Sequence, residues 1–423
     1  MIDFKPFKST YLLLFLMLNF QLISCAQKTS RKDSILKKDR LIKDNVSIKT
    51  GAERTDLYLP LLKDKNIAIV ANQTSELSVL LFGAATSNNK ETKRKTFHLV
   101  DYLNNYKGIS VKKVFAPEHG FRGKADAGET ILDGLDKKTK LPLVSLYGKN
   151  KKPSAAQLKG IDVLVFDIQD VGARFYTYIS SLHYVMEACA ELGIQLIVLD
   201  RPNPNGHYID GPVLETPYKS FVGMHKVPVV YGMTIGEYGR MINGEKWLKN
   251  GIQCDLKVIP LENYTHQTTY SLSIKPSPNL PNDKSINLYP SLCFFEGTDV
   301  SVGRGTAMQF QIYGAPFLAK SDFTFTPKSN EGAKYPKHQG KVCFGENLQE
   351  TKNLNALDLS YIIKAYNQMA SKDFFNSFFT KLAGTKKLQQ QIEQGVSESA
   401  IRNTWKTDLE AFKKIRKKYV LYK

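Results

Sequence analysis

Four short apolar runs in the first half of the chain each end in polar residues, and helix-like stretches lie between them. The apolar runs are Asn66–Val70, Val111–Phe115, Val163–Phe166 and Gln195–Leu199, and the clearest helical stretches are His98–Asn105 and Tyr178–Leu192. Strand, helix and strand in this order predict right-handed crossovers and a mostly parallel sheet, so we assign the chain to the α/β class.

The pattern changes in the second half of the chain. Residues 260–350 are rich in Pro, Asn, Tyr and Phe and contain only short strand-like pieces. Helical stretches follow at Leu357–Met369 and Lys386–Gln394, and a basic helix ends the chain. We therefore place a boundary near residue 262, between a parallel-sheet domain and a smaller α+β domain.

The first 25 residues have the pattern of a bacterial export signal. A lysine-containing start leads into the apolar run Tyr11–Leu18, which is too short to span a bilayer as a mature helix. Leu22–Cys25 resembles a lipobox, in which Cys25 is acylated; a plain signal peptide with an incidental cysteine is the alternative. The polar residues 26–55 are expected to form a flexible tether. We expect an exported protein of the cell envelope, periplasmic or outer-membrane associated, with a lipid anchor in the membrane.

Charge and composition narrow the class of partner. Of 423 residues, 42% are apolar and 23% are charged, which is typical of a globular protein. The formal net charge is +19, but more than half of the excess lies in the tether and in Ile401–Lys423, where solvated charge runs explain it. We therefore expect no nucleic-acid partner.

Metal and cofactor motifs are absent from the sequence. No two of the cysteines after Cys25 form a C-x-x-C pair, and there is no H-E-x-x-H. Ala71–Thr74 follows the first strand, where a dinucleotide-binding domain would carry its glycines. We expect no structural metal and no cofactor, and the cysteine spacing leaves a disulfide open.

Polar residues follow all four apolar strands. They are Asn72, then Glu118 and His119, then Asp167 and Asp170, and finally Asp200 and Arg201. Ligands of parallel sheets bind beyond the carboxyl ends of the strands, so these residues predict one site at one edge of the sheet. The alternative is that they belong to ordinary loops and helix caps.

Several long strings form a series that resembles a known family. They are Pro117–Gly123, Ala127–Glu129, Ser145–Gly148, Asp167–Tyr178, Leu199–Pro204, Gly232–Glu237, Ser277–Asn279 and Gly303–Thr306. In this order they resemble the NamZ family of exo-β-N-acetylmuramidases over about residues 56–422. The resemblance implies a glycoside hydrolase that removes terminal N-acetylmuramic acid from the non-reducing end of peptidoglycan fragments. It also implies a Rossmann-like catalytic domain, 56–262, and a C-terminal α+β domain, 263–423, that completes the cleft.

Glycoside hydrolysis usually needs one carboxylic acid and one carboxylate. Glu118 is the candidate general acid, because it follows a buried strand; the alternative is a loop-capping Glu or a pair with Arg122. Asp167 or Asp170 could be the second carboxylate or orient water or the acetamido group, unless the substrate's own N-acetyl group is the nucleophile. His119 could polarise Glu118 or bind sugar hydroxyls, although a lone His beside a motif is more often a structural residue.

The remaining candidates would bind the sugar. A guanidinium pairs two-pronged with a carboxylate, so the lactyl group could be bound by Arg174, Arg201 or Arg304. Further candidates for stacking or hydrogen bonding are Tyr176, Tyr178, Glu237, Asn72 and Asn279. Each has a structural alternative: a salt bridge, a core aromatic, or, for Glu237, a capping box with Thr234.

Two other functions compete with the hydrolase. A non-catalytic lipoprotein could bind muropeptides or polysaccharide without turnover. An esterase or deacetylase is disfavoured, because the sequence has neither a nucleophile elbow nor a metal motif.

Overall fold

The computed structural model describes residues 47–82, 92–118, 120–122, 133–369 and 373–423. The export signal with Cys25, most of the predicted tether and His119 lie outside these residues. Residues Lys49–Lys423 form one compact unit. Within the described part of the chain, no helix has both the length and the apolar character needed to cross a membrane.

Twelve strands are present in the described ranges, seven of them in one sheet. The strands are β1 (Asn66–Ala71), β2 (Glu76–Phe82), β3 (Thr92–His98), β4 (Ser110–Ala116), β5 (Gly134–Leu135), β6 (Pro142–Ser145), β7 (Val163–Asp167), β8 (Gln195–Leu199), β9 (Leu256–Ile259), β10 (Ile312–Ala315), β11 (Thr324–Phe325) and β12 (Cys343–Asn347). The large sheet has the order β5-β6-β4-β1-β7-β8-β9, and only β5 pairs antiparallel. This confirms the predicted α/β class and mostly parallel sheet.

Eleven α-helices surround the sheets in the described residues. They are α1 (Thr55–Leu62), α2 (Leu99–Asn104), α3 (Ala155–Leu158), α4 (Tyr178–Leu192), α5 (Ile235–Gly244), α6 (Asp283–Leu292), α7 (Ser360–Met369), α8 (Ser377–Ala383), α9 (Lys387–Glu393), α10 (Glu398–Thr404) and α11 (Lys406–Arg416). Helix α4 ends where Gly193 adopts φ 65°, a left-handed conformation that glycine takes without a Cβ clash.

The central strands are apolar throughout because both of their faces are covered. On β7, Leu164 and Phe166 pack into one hydrophobic cluster, whereas Val163 and Val165 pack into another on the opposite face. Side chains alternate along a strand, so a strand buried on both sides reads as one continuous apolar run. This is why the sequence located these strands well.

The folded unit begins before residue 56, where the sequence analysis placed its start. The Gly51 N–H donates to the Asp200 backbone carbonyl at 2.8 Å, and Ala52 is fully buried. A Cβ on Gly51 would lie only 2.4 Å from the Asp200 nitrogen, so the close approach of the two backbones requires glycine there. Residues 49–54 are therefore part of the fold rather than of a tether.

One hydrophobic cluster runs through both halves of the chain. It includes Phe166 of the large sheet together with Phe294, Phe374 and Phe412 from the second half. Glu262, at the predicted boundary, forms an isolated antiparallel bridge with Lys49. The domain division at 262 stays a prediction.

Candidate active site

A cavity of about 520 Å³ opens beyond the carboxyl ends of β4 and β7. Its polar lining residues are Glu118, Lys151, Thr177, Ser277, Asn279, Glu296 and Arg304, and its aromatic ones include Tyr147, Phe175, Tyr176, Tyr178, Phe221, Tyr289, Phe310 and Phe378. The volume lies within the usual range for small-molecule sites. Aromatic walls with a few polar groups suit a ligand that has both apolar C–H faces and hydroxyls.

Glu118, the candidate acid of the sequence analysis, lines this cavity. It follows β4 after Pro117 and is half-buried. The Thr177 hydroxyl donates to Glu118 Oε2 at 2.8 Å. Burial, and then the charge of Glu118 and a hydrogen bond to it, raise the pKa of the Tyr147 hydroxyl. Two hydroxyl-bearing side chains therefore orient this carboxyl toward the cavity.

The second carboxylate in the cavity is Glu296, which the sequence analysis missed. It lies in the 3-10 turn Cys293–Gly297 that continues α6, and its Oε1 accepts from Arg304 Nε at 3.0 Å. Burial opposes ionisation of Glu296, but the charges of Arg304 and Lys337 outweigh it and hold its pKa below the usual value. Glu296 is therefore a stably ionised carboxylate.

Glycines hold Arg304 in place. Gly303 and Gly305 have φ of +78° and +80°, and a Cβ on Gly305 would lie 2.6 Å from the Lys328 carbonyl oxygen. This tight turn directs the Arg304 guanidinium into the cavity wall beside Glu296. Among the described residues, Arg304 Nη1 and Nη2 have no hydrogen-bond partner, so both can donate to a ligand.

Asp167 and Arg201 do not reach the cavity. Asp167 is the last residue of β7, is fully buried, and accepts from Arg201 Nε at 2.6 Å and from Arg201 Nη2 at 2.8 Å. Burial opposes the charge on Arg201, but Asp167 more than compensates and raises the pKa of the guanidinium. The expectation that these two groups meet the substrate is therefore corrected: they neutralise each other inside the fold.

Asp170 is also held below the cavity surface. It accepts from the Tyr231 hydroxyl and, at 2.7 Å, from the Gly172 N–H, while its Oδ1 is buried without a partner among the described residues. Burial raises the pKa of Asp170 to about 6, against the effect of these hydrogen bonds. Asp170 is buried and does not line the cavity, so a direct role as second carboxylate has no support in the geometry.

Arg174 is a structural residue rather than a sugar ligand. Its guanidinium is 0% exposed and donates to four backbone carbonyls, those of Pro212, Val227, Leu382 and Ala383, at 2.7–2.9 Å. The last two belong to α8, which contributes Phe378 and Leu382 to the cavity wall. The expected contact with a lactyl carboxylate is therefore replaced by a role in fastening that wall.

Asn72 and Glu237 also lie outside the cavity. Asn72 is fully buried, and its Nδ2 donates to the Tyr178 hydroxyl at 2.9 Å. Glu237 is fully buried in the capping box at the start of α5 and accepts from His266 Nε2 at 2.7 Å and from the Leu421 N–H at 2.6 Å. The expectation that these two residues bind the sugar is therefore corrected. Asn72 supports the cavity residue Tyr178, and Glu237 anchors the C-terminal segment.

Three of the other predicted residues do line the cavity. Tyr176 and Tyr178 pack edge to face with ring centroids 4.9 Å apart, and the Tyr176 hydroxyl donates to the Pro276 carbonyl at 2.9 Å. Asn279 donates to the Gly332 carbonyl at 2.6 Å, and its Oδ1 is buried without a partner among the described residues. The cavity thus brings together Glu118, Tyr176, Tyr178, Asn279 and Arg304 from the predicted set.

Comparisons with known proteins agree with the sequence motifs. Two family models match, described as exo-beta-N-acetylmuramidase NamZ, N-terminal, over residues 67–284 and the corresponding C-terminal part over residues 287–422. The peptidoglycan beta-N-acetylmuramidase NamZ of Bacillus subtilis (strain 168) is 38% identical over 387 residues, which cover 86% of this chain and 89% of that protein.

Two crystal structures of DUF1343 family proteins from Bacteroides fragilis NCTC 9343 have the same fold. The first has a TM-score of 0.79 and 46% identity and covers 89% of this chain and 99% of its own. The second has a TM-score of 0.73 and 27% identity and covers 90% of this chain and 100% of its own. These likenesses confirm the fold, and the two family models meet near residue 285.

Proposed function

The chain belongs to the NamZ family of β-N-acetylmuramidases, and we propose that it removes terminal N-acetylmuramic acid from the non-reducing end of peptidoglycan fragments. It is accordingly a glycoside hydrolase. The observation that carries the proposal is the meeting of Glu118 and Glu296 in one aromatic-walled cavity of about 520 Å³. Two carboxyl groups in one sugar-sized cavity are what this chemistry requires.

The two glutamates have different partners and therefore different roles. Glu118 has hydroxyl partners in Thr177 and Tyr147, and it is the general acid that protonates the glycosidic oxygen. Glu296 is kept ionised by Arg304 and Lys337, and it is the carboxylate that acts at the anomeric carbon, as base or nucleophile. In glycosidases the surroundings of the two carboxyl groups decide which one is the proton-donating acid and which one stays ionised.

Arg304 is the residue that recognises the muramic acid. The lactyl group distinguishes this sugar from N-acetylglucosamine by one carboxylate, and Arg304 has two terminal nitrogens that no described residue occupies. A two-pronged contact with that carboxylate would select the muramyl ring. Asn279 also lines the cavity, and its side chain is the candidate partner of the acetamido group.

Hydrolysis of a muramyl-glucosamine disaccharide by the purified protein tests the proposal. We expect release of N-acetylmuramic acid, and a loss of at least about a hundredfold in kcat for Glu118→Gln, the usual worth of a general acid. Glu410→Gln is the matched control, because Glu410 is exposed on α11 and pairs only with Lys413 among the described residues. Saturable binding of the disaccharide without any turnover would instead favour a non-catalytic binding protein.

We also propose that the protein is exported and anchored by a lipid on Cys25. The lipobox-like ending of the signal supports this, since a small residue and Cys follow an apolar run of the right length. Metabolic labelling with an alkyne fatty acid should mark the native protein and leave Cys25→Ser unmarked. Absence of label on the native protein would contradict the anchor.

A further inference from the structure

Two pairs of a cation and an aromatic ring line the active-site cavity. The Lys151 ammonium lies over the Phe221 ring, 4.4 Å from the ring centroid, and the Arg304 guanidinium lies over the Phe310 ring at 5.2 Å. All four residues belong to the wall of the cavity of about 520 Å³. The second pair adjoins Glu296, because Arg304 Nε donates to that carboxylate at 3.0 Å.

The Phe221 ring lies on the other side of the cavity, which holds Glu118. Thr177, whose hydroxyl donates to Glu118, is the residue that precedes helix α4. In the first turn of that helix, the Ser180 hydroxyl donates to the Phe221 carbonyl at 2.7 Å. The start of α4 therefore fastens both the Glu118 carboxyl and the backbone of Phe221.

Lys151 is connected to the same side of the cavity through its own loop. The Tyr147 hydroxyl is hydrogen-bonded to Glu118, and Lys151 follows Tyr147 by four residues. Gly148, which also lines the cavity, is exposed, so the wall opens to solvent here. A general acid must lie within hydrogen-bond reach of the oxygen that it protonates, and the leaving part of the substrate begins at that oxygen. The leaving part therefore passes the wall that carries Lys151.

The Phe221 ring is a fixed support for the lysine side chain. Ser220 and Gly223 exchange two backbone hydrogen bonds, at 2.9 and 3.1 Å, and so close the turn that carries the ring. The ring also stacks on Tyr184, with centroids 6.3 Å apart and planes 17° apart. A long side chain that is already held in place loses less conformational entropy when it binds a ligand.

The charge of Lys151 is not balanced by a carboxylate in the part of the chain that the structure describes. Its contact there is the Phe221 ring. The next residue, Lys152, differs, because it forms ion pairs with Glu187 at 2.8 Å and with Glu191 at 2.7 Å. An ammonium over an aromatic ring keeps N–H donors that can pair with an anion. A half-buried cation of this kind in the cavity wall favours a ligand with a negative charge at that place.

We propose that Lys151 binds a carboxylate carried by the leaving part of the substrate. This inference rests on the proposed function, in which Glu118 protonates the leaving oxygen. In a peptidoglycan fragment the leaving part begins with an uncharged N-acetylglucosamine. The carboxylate therefore belongs to the muramyl residue that follows, either as its free lactyl group or in a peptide attached to that group. Lys151 thus makes the protein prefer fragments longer than the disaccharide.

The test compares three substrates with the same terminal muramyl sugar. They are the muramyl-glucosamine disaccharide, the trisaccharide that adds a second muramic acid, and that trisaccharide with its second lactyl carboxylate converted to a methyl amide. For the native protein, KM for the charged trisaccharide should be about fivefold below KM for the amide, the worth of one partly exposed ion pair. Lys151→Met should remove this difference and change KM for the disaccharide by less than about twofold. It should leave kcat within about twofold, because the ion pair is as strong in the ground state as in the transition state.

Three controls separate a charge contact from a structural effect. Lys151→Arg keeps the charge and should retain most of the difference in KM. Lys149→Met removes an exposed lysine of the same loop that does not line the cavity, and it should change KM for none of the substrates. For the native protein, about 0.5 M NaCl should shrink the difference by screening. A trisaccharide with L-alanine on the second lactyl group carries its carboxylate further out; if KM for this substrate alone depends on Lys151, the bound carboxylate is that of the peptide.

The outcomes separate this inference from the proposed function. If Lys151→Met raises KM for the disaccharide and for the trisaccharide by the same factor, the lysine contacts the terminal sugar and the inference is wrong. Equal KM values of the native protein for the amide and for both charged trisaccharides also overturn it. Either result leaves the hydrolase in place. If the native protein hydrolyses none of these substrates, the proposed function is wrong and this inference is wrong with it.

Discussion

Replacing Arg174 by methionine is the perturbation that best separates a structural arginine from a sugar-binding one. Methionine keeps much of the length and apolar volume of the side chain but has no donors. In the native fold the guanidinium supplies hydrogen bonds to four buried carbonyls, two of them at the C-terminal end of α8. The substitution therefore leaves four acceptors without a donor in a region closed to water.

The cost follows from that count of acceptors. A buried group that loses its partner costs about 1–3 kcal/mol, and at the lower end four carbonyls give about 4 kcal/mol. Unfolding entropy is about 2 cal/mol/K per residue, so for the unit Lys49–Lys423 this corresponds to a fall in Tm of about 5 °C. Arg174→Lys keeps three N–H donors, so its Tm should fall by less.

Scanning calorimetry and muramidase kinetics should be measured on the same preparations. The matched control is Arg240→Met, because Arg240 donates to a single partly buried carbonyl, that of Tyr419, at 2.9 Å, and should lose about 1 kcal/mol. If Arg174→Met melts like the native protein and instead raises KM for the disaccharide, the structural assignment is wrong and the original expectation of a lactyl contact is right.

Three further outcomes can be checked by denaturation. Burial lowers the pKa of His183, which is hydrogen-bonded to His225 at 2.9 Å, to about 4. At pH 5.5 the unfolded chain therefore binds a proton that the folded chain does not, so the free energy of unfolding falls by about 1 kcal/mol between pH 7.5 and 5.5. In urea titrations the difference in free energy of unfolding between the native protein and His183→Gln should narrow over this range; a constant difference contradicts the prediction. Asp167→Asn leaves the Arg201 charge buried and should lower the free energy of unfolding by about 3 kcal/mol or more; an unchanged urea midpoint would refute the buried pair. Tyr422→Phe removes the hydroxyl that donates to the buried Asp200 carboxylate at 2.6 Å and accepts from the Leu261 N–H at 2.9 Å. We expect it to lower the free energy of unfolding by about 2 kcal/mol, and a loss under about 0.5 kcal/mol would argue that the C-terminal segment is not held by this side chain.

The sequence located the strands that are buried on both faces and missed those that are not. Val163–Phe166 and Gln195–Leu199 are continuous apolar runs, and the structure has strands within one residue of them. The hairpin of β2 and β3 was missed, because its strand Thr92–His98 is mostly polar and carries lysines and an arginine. The two-residue strand β5 is too short to leave any pattern.

The site was harder to predict than the fold, because a polar residue at a strand end can point outward or inward. Asp167 pairs in register with Ala71 and is still within the sheet, where its side chain is buried. Glu118 lies two residues beyond β4 and reaches the cavity. Glu296 comes from an irregular region, and its only signal is a single acid after the apolar residues Leu292–Phe295.

The comparison of Glu118→Gln with Asp167→Asn in disaccharide hydrolysis, at a temperature where both variants are folded, tests the central claim most directly. Glu118 lines the cavity and Asp167 is buried against Arg201. We predict that Glu118→Gln loses at least about a hundredfold in kcat while the folded fraction of Asp167→Asn keeps most of the native rate. Native-like turnover by Glu118→Gln, together with loss of turnover in folded Asp167→Asn, would contradict the account.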